Sequence, residues 1–161
     1  MRSIFYSLCF AATLCVLGAQ EHAPSAQVQR GRELFVNSTK GQPCATCHAL
    51  AGVGTAVGPD LRTLCSAVGP HGIIMAMHMT LPAYVKEIKL KDGTTFPAMD
   101  KQAQGGELEI WDLSQTPPAA RKLATKDIAS SNQSTTWKHP PATVEYTTQE
   151  LADIVGFLKW V

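Results

Sequence analysis

Cys44-Ala45-Thr46-Cys47-His48 is the stretch on which the reading of this chain turns. A Cys-x-x-Cys-His run is the attachment signal for a c-type haem. Two thiols that add across the vinyl groups of one porphyrin must lie a few residues apart on one turn. The histidine that follows then lies beneath the iron as its proximal axial ligand. Other uses of a Cys-x-x-Cys pair fit less well. A structural zinc site takes four protein ligands, and Cys65 is the one further cysteine beyond the N-terminal leader. A redox Cys-x-x-Cys belongs beside a βαβ pattern, which the sequence lacks. A disulfide across so small a loop adds little stability.

Upstream of the motif, residues 1–19 read as a signal peptide. Arg2 supplies the positive start, and Phe5, Leu8, Phe10, Leu14 and Val16 stud an apolar run over 4–17. Gly18-Ala19 offers small residues for cleavage before Gln20. The run is short for a bilayer span, which needs about 20 residues, and no other segment is long and apolar enough. Export suits covalent haem, which bacteria attach outside the cytoplasm, so a periplasmic or secreted protein is expected. Cleavage would remove Cys9 and Cys15 and leave Cys44, Cys47 and Cys65. Cys65, next to Leu64, reads as a small buried hydrophobe. The mature chain would carry 13 acidic residues balanced by as many Lys and Arg. No charge run points to nucleic acid or to an anionic surface.

Downstream, the periodicities divide the chain in three. Val28, Gly31, Leu34 and Phe35 recur at helical spacing over residues 26–37, and Lys40-Gly41 ends the pattern. A Gly-rich loop over 52–58 leads into Gly58-Pro59-Asp60-Leu61, and residues 72–79 suit a short helix before Thr80-Leu81-Pro82. From Tyr84 the period shortens to two. Ile88 and Leu90 alternate with Lys89 and Lys91 ahead of the Asp92-Gly93 turn. Further short strands are expected at 95–99, 108–113 and 121–124, with the polar stretch 130–136 as a loop. Thr147 with Glu150 is a capping box. It opens a last helix whose Leu151, Ile154, Val155 and Leu158 form one apolar face widened by Phe157 and Trp160. The first helix, with Gly31 allowing close approach, is its natural partner.

Gly31 and Phe35, the Cys44–His48 motif, Gly58-Pro59-Asp60-Leu61 and the aromatic-rich last helix together resemble a class I type cytochrome c domain. More narrowly, the chain is similar to bacterial haem-binding domains with a small β unit inserted before the distal-ligand loop. The segment 85–96, with Leu90-Lys91-Asp92-Gly93-Thr94 at its turn, and the tail 146–153 carry that likeness. The resemblance implies a mainly α fold, a cytochrome c fold with an inserted small antiparallel β unit at about 84–128, filling a single domain over 20–161. It implies one covalently attached haem c, held by Cys44, Cys47, His48 and Pro59, with His48 on the metal; His139 is expected to complete the haem-binding set as the second metal ligand, on its position in the loop. The Pro59 carbonyl would accept a hydrogen bond from His48, orienting the ring and raising its basicity.

The distal ligand is where the chain departs from the family. The loop before the last helix reads Trp137-Lys138-His139-Pro140-Pro141, and no Met lies between Asp100 and the C-terminus. His139 stands where the resemblance puts a Met. Met75, Met79, His78 or a vacant sixth position are the alternatives. Met75 with Met79 also suits core filling, and Met99 is expected away from the iron. His71 in its Gly-Pro-His-Gly loop reads as exposed, and His22 lies by the cleavage site. The function expected is electron transfer between redox partner proteins, with no catalytic residue and no enzymatic activity. An open or displaceable sixth site would instead suit a haem-based small-ligand binding or sensing domain. A peroxidase would need an open iron with distal acid–base groups.

Overall fold

The computed structural model describes residues 23–79 and 82–161, with the backbone alone at 102–104. The expected leader, His22 and Thr80-Leu81 lie outside the described residues. The first helix, α1 (Ala26–Asn37), starts where the Ser25 side chain accepts from the Val28 amide. It buries Val28, Gly31 and Phe35 on one face. The last helix, α4 (Thr148–Trp160), opens on the reciprocal Thr147–Glu150 box and buries Ile154, Val155, Phe157 and Leu158. These two faces meet. A Cβ on Gly31 would lie 2.6 Å from the Asp153 carbonyl carbon and 2.8 Å from the Phe157 Cβ, so the crossing requires glycine. The Phe35 and Phe157 rings pack with centres 5.5 Å apart and planes tilted by 58°. Arg30 clamps the buried Asp153 carboxylate through two hydrogen bonds of 2.8 and 2.9 Å.

Two short helices, α2 (Leu61–Ala67) and α3 (Pro70–Met77), complete the helical part. Asp60 caps α2 by accepting from the Arg62 amide, and Pro70 starts α3 where its missing N–H costs nothing. Lys159 of α4 donates to the Cys65 and Val68 carbonyls, tying the end of α2 to the last helix.

Between α3 and α4 the chain builds a five-stranded sheet in the order β4-β3-β2-β1-β5. Its strands are β1 (Lys86–Leu90), β2 (Thr95–Gln104), β3 (Glu107–Asp112), β4 (Ala119–Ala124) and β5 (Ile128–Gln133), every pair antiparallel. Strand alternation sends Ile88, Phe96, Ala98, Ile110 and Leu123 into a second apolar cluster, joined by Leu90, Leu108 and Ile128. Every strand contributes to it. A flat sheet would set its edges about 19 Å apart at the usual strand spacing. Yet the edge strands β4 and β5 are joined by a single turn of 3-10 helix, Thr125–Asp127, which rises only about 2 Å per residue. The sheet therefore curls on itself, and its inner face is the second core.

The expectation of a mainly α, cytochrome c fold is corrected by this architecture. Of the described residues 37% are helical and 24% lie in strands, so the class is α plus β. The sheet is a unit with its own core rather than a small appendage of a helical domain. One further expectation fails with it. The polar stretch 130–136 is not a loop throughout, because β5 continues to Gln133 and pairs with β1 from Lys86 to Leu90. An edge strand with one wet face needs few apolar residues, and backbone pairing supplies what hydrophobic alternation does not.

Candidate functional site

The Cys44–His48 segment is folded by its own backbone. Cys44–Thr46 form a turn of 3-10 helix, and the His48 amide donates to the Cys44 carbonyl at 2.9 Å. The Gly-rich loop then folds back over it, with Thr55 donating to the Ala45 carbonyl and Val57 to that of Cys47. Gly54, at φ +88°, passes where a Cβ would lie 2.9 Å from the Ala45 carbonyl oxygen. Gly58 lies against the imidazole itself. A Cβ there would be 2.8 Å from His48 Nδ1 and 3.0 Å from Nε2.

His48 is buried, and its Nδ1 lies 3.0 Å from the Pro59 carbonyl. A carbonyl only accepts, so Nδ1 carries the proton and Nε2 presents a lone pair. Burial lowers the His48 pKa, partly offset by the Pro59 bond, and keeps the ring neutral. His139 repeats this arrangement. Its Nδ1 donates to the Met77 carbonyl at 3.2 Å, leaving Nε2 bare. Burial again lowers its pKa, with the Met77 bond opposing and His48 adding to the effect. Met77 closes α3, so its carbonyl is one of the acceptors that a helix end leaves without an intrahelical partner. Pro140 and Pro141 follow at once and begin a 3-10 turn, Pro140–Thr143.

The two imidazoles line one cavity of about 340 Å³, together with Cys44 and Cys47. That volume is in the range of small-molecule and cofactor sites. The ring centres of His48 and His139 are 6.2 Å apart, with their planes at 87°. Two imidazoles that bind one metal ion from opposite sides, each at about 2 Å and each with its nitrogen about 1 Å from the ring centre, have centres about 6 Å apart. The donor set would suit a haem held by both imidazoles. It does not fit a protein-only cage, since no group of three or more His, Cys, Asp or Glu gathers among the described residues.

The thiols line the same cavity. Cys44 and Cys47 are not joined to each other. Burial pushes the Cys44 thiol up to about 11 and raises that of Cys47 as well. Gln42 Nε2 lies 3.5 Å from Cys47 Sγ.

The rivals for the distal position separate clearly. Met75 is 60% exposed and points away from the cavity, which it does not line. His78 is exposed, and its Nδ1 is turned back to the Ile74 carbonyl at 2.9 Å. His71 is exposed. Met79, exposed to solvent, lines the cavity, and Met99, which was expected away from the iron, lines it too. Strand alternation explains Met99: Phe96 and Ala98 face the sheet's own core, so Met99 faces the other way. That signal was readable in the sequence. The Met77 carbonyl was not, because a backbone acceptor leaves no mark in residue identity. Trp137 lines the cavity and stands 6.3 Å from His139, ring centre to ring centre. Cys65 is buried and is also part of the lining.

No family model and no curated protein matches the chain.

Proposed function

We propose that this chain is an exported mono-haem c-type electron carrier, with Cys44 and Cys47 as the covalent attachment points and His48 and His139 as axial ligands. The observation that carries this reading is the pair of imidazoles, 6.2 Å apart across a cavity that both thiols line. Each ring has its Nδ1 proton engaged by a carbonyl and its Nε2 free. A haem held there supplies one-electron chemistry, with the iron alternating between ferric and ferrous. The chain's residues do the rest. The imidazoles set the coordination, and the Pro59 and Met77 carbonyls keep both rings in the ligating tautomer. Apolar side chains such as Phe35, Ile73 and Leu158 exclude water from the cavity floor. Met79 and Tyr84 line the cavity and remain 49% and 44% exposed, so they mark where a haem edge would come within reach of a redox partner protein. No catalytic residue is assigned.

The expected compartment is the periplasm or the cell exterior. Among the described residues no helix is long and apolar enough to cross a membrane.

The test is to produce the chain in a host that attaches haem to exported thiols. After denaturation and extraction with acidified organic solvent, the haem should stay with the polypeptide, and Cys47→Ser should weaken or abolish that retention. Haem that extracts intact from the wild type would sink the reading. Optical spectra of both oxidation states should show a six-coordinate iron whose reduced form ignores carbon monoxide. Carbon monoxide binding by the wild type would favour a small-ligand binding or sensing domain instead.

A further inference from the structure

We propose that the Met77 carbonyl is a positioning group for His139 which, with the His48–Pro59 bond already described, holds the two imidazoles crossed at nearly a right angle where they would take one iron. This rests on the reading of both histidines as axial ligands. Each ring has one rotational freedom about its bond to the metal, and each is denied it by a separate part of the fold. His48 is fixed by its bond to Pro59 and by the Gly58 backbone lying against the ring. His139 is fixed by its bond to the Met77 carbonyl, from a residue 62 positions away at the end of α3. The planes so fixed stand at 87°. Pro140 keeps His139 out of the helical region, and its backbone stands at φ −60° and ψ 123°.

The angle has an electronic consequence. The filled π orbital of an imidazole lies perpendicular to its ring and raises one of the two iron d orbitals of matching symmetry. Parallel rings raise the same orbital and split the pair. Crossed rings raise both and leave them nearly equal. Nearly equal orbitals retain orbital angular momentum in the ferric state, so the magnetic response becomes strongly anisotropic. The ferric state also loses the stabilisation that splitting provides, so the potential lies above that of the same ligands set parallel.

Electron paramagnetic resonance of the oxidised, haem-loaded protein reads the angle directly. Crossed rings should give a low-spin signal dominated by one broad feature at large g. A rhombic low-spin signal with resolved lines would overturn the crossed arrangement and leave bis-histidine ligation standing. A high-spin signal would overturn the axial reading itself. Proton NMR of the diamagnetic ferrous protein separates the two carbonyls, since the Nδ1 protons of His48 and His139 should both be protected from solvent exchange. Free exchange at His139 would overturn the role of Met77, and free exchange at His48 that of Pro59. Gly58→Ala should push the His48 ring round, shift the signal towards the rhombic form and lower the potential. A variant that loads haem with an unchanged signal would overturn the claim that the Gly58 contact sets the ring. If that variant takes up no haem, the two wild-type measurements still decide the proposal.

Discussion

A histidine beside a backbone carbonyl has its tautomer chosen for it, and this chain uses that device at the buried His48 and at the half-buried His139. The second is the residue most informative to change. Imidazole donates more strongly to ferric iron than a thioether does, and Met/His ligation is the arrangement that raises the potential. His139→Met should therefore raise the reduction potential, measured by redox titration of the haem-loaded protein. His139→Ala should open the iron to carbon monoxide. An optical spectrum unaltered in His139→Ala would return the choice to Met79 or Met99, the thioethers that the fold brings to the cavity. At this scale the gathering of both thiols and His48 at one cavity was legible from spacing alone, because residues three and four apart on one turn stay together. The partner of His139 was not legible, since it is a carbonyl rather than a side chain.

Among elements, the α1–α4 pair carries the helical core and shows how little tolerance a crossing at glycine leaves. Gly31→Ala places a methyl against the Asp153 backbone, not against a flexible side chain. The helices must separate, and overpacking of this kind costs roughly 1–3 kcal/mol. Chemical denaturation should record that loss in the midpoint with little change in slope. The α4 cap predicts a pH dependence. Lys40 and the Thr147 amide hold the Glu150 carboxyl down to about 2, against an ordinary value of 4.5. A depressed carboxyl favours the folded state while ionised. Its contribution is therefore complete above the ordinary value and is lost as pH falls towards 2. Glu150→Gln should flatten that part of an acid-unfolding profile, and an identical profile would show that the cap is not coupled to folding. Both helices were readable in advance, with α1 running Ala26–Asn37 as the period required. Their signals lie within a turn or two of chain: apolar residues three and four apart, and a capping box three residues long.

The whole molecule has two apolar cores among the described residues, one helical and one inside the curled sheet, with the cavity lined from both parts. Ile88 is fully buried in the sheet cluster. Ile88→Ala should cost about 2–5 kcal/mol, the usual range for truncating a large buried aliphatic residue. Because the cores are separate, native-state hydrogen exchange should accelerate over residues 86–133 while α1 and α4 keep their protection. A uniform acceleration would mean that the two parts open as one.

Local reading was sufficient for the Cys44–His48 run, the two long helices with their caps, and the period-two character of the chain from Tyr84 onwards. These follow from interactions among residues close together in sequence, where spacing and residue type are sufficient. The class of the fold and the shape of the site emerged only where distant parts of the chain met. The tertiary structure made an edge strand of the polar Ile128–Gln133 by pairing it with β1 and curled the sheet around its own core. It also set His139 across from His48 through a bond to a carbonyl 62 residues earlier. Backbone pairing at a sheet edge, and contacts between residues so far apart, are settled by which surfaces meet when the chain closes on itself. No local period or propensity records them.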